Sequence, residues 1–140
     1  MFRFRRVNID GKSITETRLA GAELKPGELV KLQGGKFVKA APADVGKEQL
    51  YIVNPAFHEG KTIADAIAAN ATVVADYVEQ GREFAIRVPN ATYAKGAAIA
   101  LTADGAKLSS VAEDGSAPII AYCQEDVTLE AEDFIRVRVA

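Results

Sequence analysis

The chain has no tryptophan, a single cysteine, a single histidine and no long hydrophobic run among its 140 residues. Each shortage removes a class of protein. One thiol, Cys123, excludes an intrachain disulfide and any zinc site built on cysteines. Its neighbours Ile119, Ile120, Ala121 and Tyr122 are mostly apolar, which marks a buried structural thiol rather than a nucleophile. His58 is followed directly by Glu59, which on an extended segment is badly placed to orient an acid–base imidazole; a surface loop histidine is the expectation. The start, Met1-Phe2-Arg3-Phe4-Arg5-Arg6, leads into no apolar run, so neither a signal peptide nor a membrane span is expected. Synthesis in a reducing cytoplasm follows, and the sequons at Asn70 and Asn90 are expected to be silent.

Aromatic residues are also scarce, at 7%, and the 49% apolar fraction contains twenty-five alanines that each bury little area. The length suits one domain with a core of its own. A core short of large side chains would gain from contact with further copies, which favours a homo-oligomer. Net charge is −2 and decides nothing about nucleic acid, but its distribution is uneven. Residues 1–40 hold nine Lys/Arg against four Asp/Glu, and residues 41–140 hold eight against fifteen. Surface scatter produces such splits; so does a basic N-terminal arm that docks on an acidic neighbour, either a copy of itself or another protein.

What is abundant is strand pattern. Phe134-Ile135-Arg136-Val137-Arg138-Val139 alternates strictly, the period of a half-buried strand. The apolar-rich runs 97–102 and 106–111 flank Asp104-Gly105, a hairpin signal. Two further runs, 28–32 and 36–40, flank Gln33-Gly34-Gly35 and read as another hairpin. Leu50-Tyr51-Ile52-Val53 is a strand stopped by Asn54-Pro55. Residues 72–78 and 83–88 read as a hairpin around Glu79-Gln80-Gly81. Thr62 to Asn70 carries the one helical pattern, with Thr62 as cap and Ile63 and Ile67 four apart. The expectation is an all-β domain over residues 23–140, a small barrel or sandwich (β-tulip-like) of about nine short strands and one short helix. Residues 1–22 are expected as an extended arm.

Three constellations suggest chemistry. A strand, then Gly60-Lys61-Thr62, then a possible helix has the order of a phosphate-binding loop, but Pro55 stands where the first glycine belongs and has no amide to donate. Glu125, Asp126, Glu130, Glu132 and Asp133 lack the alternating ladder of a calcium loop and read as a solvated turn. Phe2 and Phe4 between Arg3, Arg5 and Arg6 could stack and bind single-stranded nucleic acid, yet no second basic aromatic surface supports it. No enzyme, cofactor or metal site is expected.

Taken in order, Leu24-Lys25-Pro26-Gly27-Glu28-Leu29-Val30, Lys36 to Ala40, Leu50 to Pro55, Thr72 to Val78, Gly81 to Phe84, Lys95-Gly96, Asp104-Gly105, Pro118 to Tyr122 and the final alternating strand resemble the small head decoration (cement) proteins of tailed phages. The likeness spans residues 22–140. It implies a structural virion protein on the outer capsid surface, stabilising the shell against the pressure of packaged DNA. Implied partners are the major capsid protein and the chain itself, a trimer favoured over a dimer, with no membrane and no direct nucleic acid. By position, Phe2, Arg3, Phe4, Arg5 and Arg6 would form the capsid-docking arm. The other reading is a non-catalytic β-rich module that binds carbohydrate or a host surface.

Overall fold

A computed structural model of the chain describes residues 1–111 and 117–140. Twelve strands are present among them: β1 Thr15–Ala20, β2 Leu29–Gln33, β3 Lys36–Lys39, β4 Leu50–Val53, β5 Thr72–Tyr77, β6 Glu83–Val88, β7 Thr92–Tyr93, β8 Ala98–Thr102, β9 Gly105–Leu108, β10 Ile119–Cys123, β11 Val127–Thr128 and β12 Asp133–Val139. The protein is all-β. Five strands close a small barrel in the order β1-β3-β2-β4-β5, five more form a sheet in the order β6-β12-β10-β8-β9, and β7 pairs with β11.

Alternation places the two cores. In β4 every residue is buried, because it serves both. Tyr51 and Val53 point with Val30, Phe37, Val73 and Ala75 into the barrel, whereas Leu50 and Ile52 join Leu29 against the second sheet. That sheet supplies Phe84, Ile86, Ile99, Leu101, Ile135 and Val137. On β12 the period of two holds: Ile135 and Val137 are buried, Arg136 and Arg138 exposed. Two of the three expected hairpins form, β2 with β3 (Gln33 opposite Lys36) and β8 with β9 (Thr102 opposite Gly105).

Three expectations are corrected. No helix forms at 62–70. The Asp65 carboxylate accepts from the Thr62 amide at 2.7 Å and from the Thr62 hydroxyl at 3.1 Å, the bonding of a helix start, but only a single turn follows. Ile67 then exchanges both main-chain hydrogen bonds with Leu24. Ile63 lies in the core between the layers and Ile67 in the barrel core, a division one helical face cannot make. The only helical pieces among the described residues are 3-10 turns of three residues, at Pro42–Asp44, Phe57–Glu59 and Ser109–Val111. Second, residues 72–78 and 83–88 are not a hairpin: β5 pairs with β1 and β4 in the barrel, β6 with β12 in the other sheet. Third, the stretch 1–22 does not project as a separate arm. Thr15–Ala20 is a stave of the barrel, antiparallel to β5 and parallel to β3, and the residues before it lie on the domain itself.

Candidate functional site: the N-terminal strap and its seat

Residues 1–9 form a strap laid over one end of β6 and β12. Phe2 meets Phe134 edge-on, ring centroids 5.1 Å apart. Arg3 reaches across 122 residues of sequence to Glu125, its Nη1 donating at 2.9 Å and its Nη2 at 2.5 Å to the two carboxylate oxygens. The Arg3 amide donates to Asp133 Oδ1 at 3.0 Å, and Nη1 donates also to the Phe134 carbonyl at 2.9 Å. A forked guanidinium on a carboxylate is the strong, directional form of ion pair. Phe4 lies under Arg3, ring centroid 5.4 Å from the guanidinium carbon.

Beyond Arg6 the strap becomes an extra strand on the free edge of β6. Val7 is fully buried, and its carbonyl accepts from the Ala85 amide at 2.8 Å. The Ile9 amide donates to the Glu83 carbonyl at 3.3 Å, with Asn8 opposite Phe84 between them. The next edge amide, that of Arg87, donates to the Gly27 carbonyl at 3.2 Å, so a barrel loop continues what the strap begins. An exposed sheet edge invites foreign strands; here the chain covers it with its own segment.

Arg87 ties these parts together. Its guanidinium lies between the rings of Phe2 (5.0 Å) and Phe134 (4.9 Å). Its Nε donates to the Pro26 carbonyl at 2.9 Å, Nη2 to the Ile63 carbonyl at 3.3 Å and Nη1 to Glu132 at 2.5 Å. At the other end Arg82 donates to the carbonyls of Asp10 and Lys12 and to the Asp10 carboxylate, pinning the turn that leads into β1. Glu83, 8% exposed in its side chain, accepts from Arg136 and from Arg138.

These pairs set the acid response. The Arg136 and Arg138 guanidiniums hold the Glu83 carboxyl below its ordinary range. Burial pushes Glu125 and Asp10 upward, but Arg3 and the Arg136 amide for the one, and the Glu83 amide and Arg82 for the other, outweigh it and leave both lowered. A depressed folded-state pKa adds stability above the unfolded value, lost as pH falls through the folded one. The melting temperature is therefore expected to be flat above about pH 5 and to fall below about pH 4.5, the ordinary carboxylate range. A Glu83→Gln variant melts lower at pH 7 and shows a shallower acid limb; an unchanged limb would show that Glu83 is not among the groups responsible.

The five arm residues of the sequence reading therefore divide. Phe2, Arg3 and Phe4 face their own domain, while Arg5 and Arg6 are exposed and have no ion-pair partner among the described residues. The acidic run does not act as one cluster: Glu125 and Asp133 hold Arg3, Asp126 accepts from the Lys95 amide at 3.0 Å, and Glu132 holds Arg87. Among the described residues no three His, Cys, Asp or Glu side chains are grouped closely enough to hold a metal ion. His58 is exposed in a 3-10 turn, 3.9 Å from Glu59. Gly60 ends that turn, and Lys61 and Thr62 lead into the Asp65 turn rather than a helix, so no phosphate cradle forms there. Cys123 is buried, its thiol pushed upward by desolvation while donating to the Glu125 carbonyl at 3.1 Å. Glu83, Arg82 and Arg87 were not singled out by the sequence reading. The one sequence signal for the strap's seat is the excess of cations before residue 41 and of anions after it.

No protein-family model matches the sequence, and no curated protein matches it. The fold is nevertheless shared with a solved structure, the N base of head fiber gp8.5 of bacteriophage phi29. The TM-score is 0.58 across 92% of this chain and 95% of that one, at 11% identity. At that identity the likeness is one of fold.

Proposed function

We propose that the chain is a structural virion protein of a tailed phage, seated on the outside of the head and reinforcing it against the pressure of packaged DNA. The observation that carries this reading is the fold held in common with a head fiber base over nearly the whole length of both chains. In this reading the partners are the major capsid protein and further copies of the chain, with a trimer favoured. Such a clamp works by repeating modest contacts: several weak interfaces joined in one oligomer gain avidity without any tight single site. The strap supplies the contact through Arg5 and Arg6, the two arm cations left outward.

The test separates docking from folding. Arg5→Glu with Arg6→Glu leaves Phe2, Arg3 and Val7 on their seat, so the double variant should fold and melt as the parent does. Co-sedimentation with heads purified without this protein is expected to show binding at least about tenfold weaker, since reversing rim charges at an interface acts mainly on encounter. Undiminished coating removes the arm from the docking role, and a parent chain that does not bind heads of its own phage removes the virion reading.

A further inference from the structure

We infer that the strap and its seat form an exchange site, in which residues 1–9 of one copy of this chain occupy the β6–β12 seat of a second copy. The inference rests on the intramolecular geometry and not on the virion reading.

The strap is complementary to a surface remote from it in sequence. Phe134, Glu125 and Asp133 lie more than 120 residues away from Arg3, and nothing in the seat depends on which copy the strap belongs to. The one partner known to fit the seat is an identical strap, which is the condition under which exchange of an element between copies is a low-cost route to oligomers. The main-chain attachment is short: two hydrogen bonds, Ala85 to Val7 and Ile9 to Glu83, around a single bridge. The barrel and the five-stranded sheet are complete without it.

The defect of the closed form lies in the hinge rather than in the strap. Between Asn8 and β1 the chain turns through Gly11 at φ +59°. The Asn8 side chain curls into that turn, its Nδ2 donating to the Gly11 carbonyl and the Ser13 hydroxyl at 3.1 Å each. Its Oδ1 is then buried without a donor, the one such side-chain atom among the described residues. A buried acceptor left unpaired is a standing cost of the closed turn. Straightening residues 9–14, as exchange requires, breaks those two local bonds and the Arg82 bonds that span Asp10, Lys12 and Ser13, and in return frees the amide to turn its oxygen toward water. The closed form keeps the advantage of effective concentration when the protein is dilute, and loses it where copies are crowded together.

A charge-swapped pair tests this on the full chain. Arg3→Glu sets strap and seat at odds within one copy, and so does Glu125→Arg. Each variant alone is expected to be monomeric by light scattering, to keep its strand signal in circular dichroism, and to melt below the parent. Mixed in equal amounts they become complementary across copies. The strap of the Arg3→Glu variant then meets the seat of the Glu125→Arg variant with opposite charges, and the unaltered Arg3 and Glu125 of the two copies meet in the other direction. The mixture should acquire an assembly containing both variants and melt closer to the parent. A mixture whose masses and melting equal the sum of its parts overturns the inference. Should either variant fail to fold, the parent chain decides. Nitrogen-14 and nitrogen-15 copies, concentrated together and then diluted, should show mixed-isotope assemblies in native mass spectrometry that decay slowly and vanish when residues 1–9 are deleted. Their absence directly after dilution, or their persistence without the strap, overturns it equally.

Discussion

Gly27→Ala is expected to cost about 3–5 kcal/mol of folding stability, a fall in melting temperature on the order of 10–20 °C for a domain of this size. Gly27 stands where the barrel meets the second sheet. Its amide donates to the Val53 carbonyl at 2.9 Å, at the end of β4, and its carbonyl accepts from the Arg87 amide in β6. Its φ is +86°, a left-handed conformation that carries a strain of roughly 1–2 kcal/mol for a residue with a Cβ. The added methyl would also lie 2.3 Å from Phe134 Cε2 and 3.0 Å from the Arg87 nitrogen. Phe134 is fully buried and Arg87 is held by its carbonyl partners, so neither can move aside cheaply. Interiors packed to crystal density carry such a shift into the strap's seat. Gly34→Ala separates strain from collision: its φ is +61° but nothing lies within 4 Å of the added atom, so the expected loss is only about 1 kcal/mol. Equal losses for the two variants in urea unfolding would refute the packing argument.

Why the sequence discloses part of this architecture and hides the rest is a matter of contact range. The two hairpins that form and the final strand are local statements: two runs, a turn and a period of two, all within about fifteen residues. The structure contains each of them. The pairing of β5 and β6 with different sheets is not local, because Glu79-Gln80-Gly81 has the chemistry of a hairpin turn whether the chain folds back or crosses between layers. At 62–70 the local pattern misled. Ile63 and Ile67 have helical spacing, but two separate cores claim them, and after a cap-like turn at Thr62 and Asp65 the chain is drawn into a bridge, Ile67 exchanging both main-chain hydrogen bonds with Leu24.

The strap was legible only in outline. Its alternation of Phe and Arg suggests an extended segment seeking an edge, and the charge division suggests an acidic neighbour. The segment does lie along an edge and does meet carboxylates, but these are the chain's own Glu125 and Asp133. No spacing rule links Arg3 to residues more than 120 positions away. Arg87 was concealed more fully, since in Glu83-Phe84-Ala85-Ile86-Arg87-Val88 it occupies what reads as an ordinary outward position on a strand.

That position gives the second large effect. Arg87→Ala is expected to cost about 3–5 kcal/mol, from two orphaned carbonyls and a withdrawn cation rather than from Glu132, which is half exposed. Arg87 is 9% exposed in its side chain, and its loss orphans the carbonyls of Pro26 and Ile63, at roughly 1–3 kcal/mol for each that water does not reach. It also withdraws the cation from between Phe2 and Phe134, worth about 1–2 kcal/mol per ring when desolvated. Arg87→Lys keeps the charge but not the planar fork, so it should recover less than half of the loss. The strap reports the difference. With Arg87 gone, Phe2 loses one of the surfaces it packs on, and the Ala85 amide that donates to Val7 should exchange with solvent faster by a factor of about ten or more, an opening made easier by roughly 1.4 kcal/mol. If residues 1–9 are deleted first, the further cost of Arg87→Ala should shrink by the share that Phe2 contributes, about 1 kcal/mol or more of coupling. A cost that is the same with and without the strap would make Arg87 a staple between barrel and sheet alone, with no hold on the N-terminus.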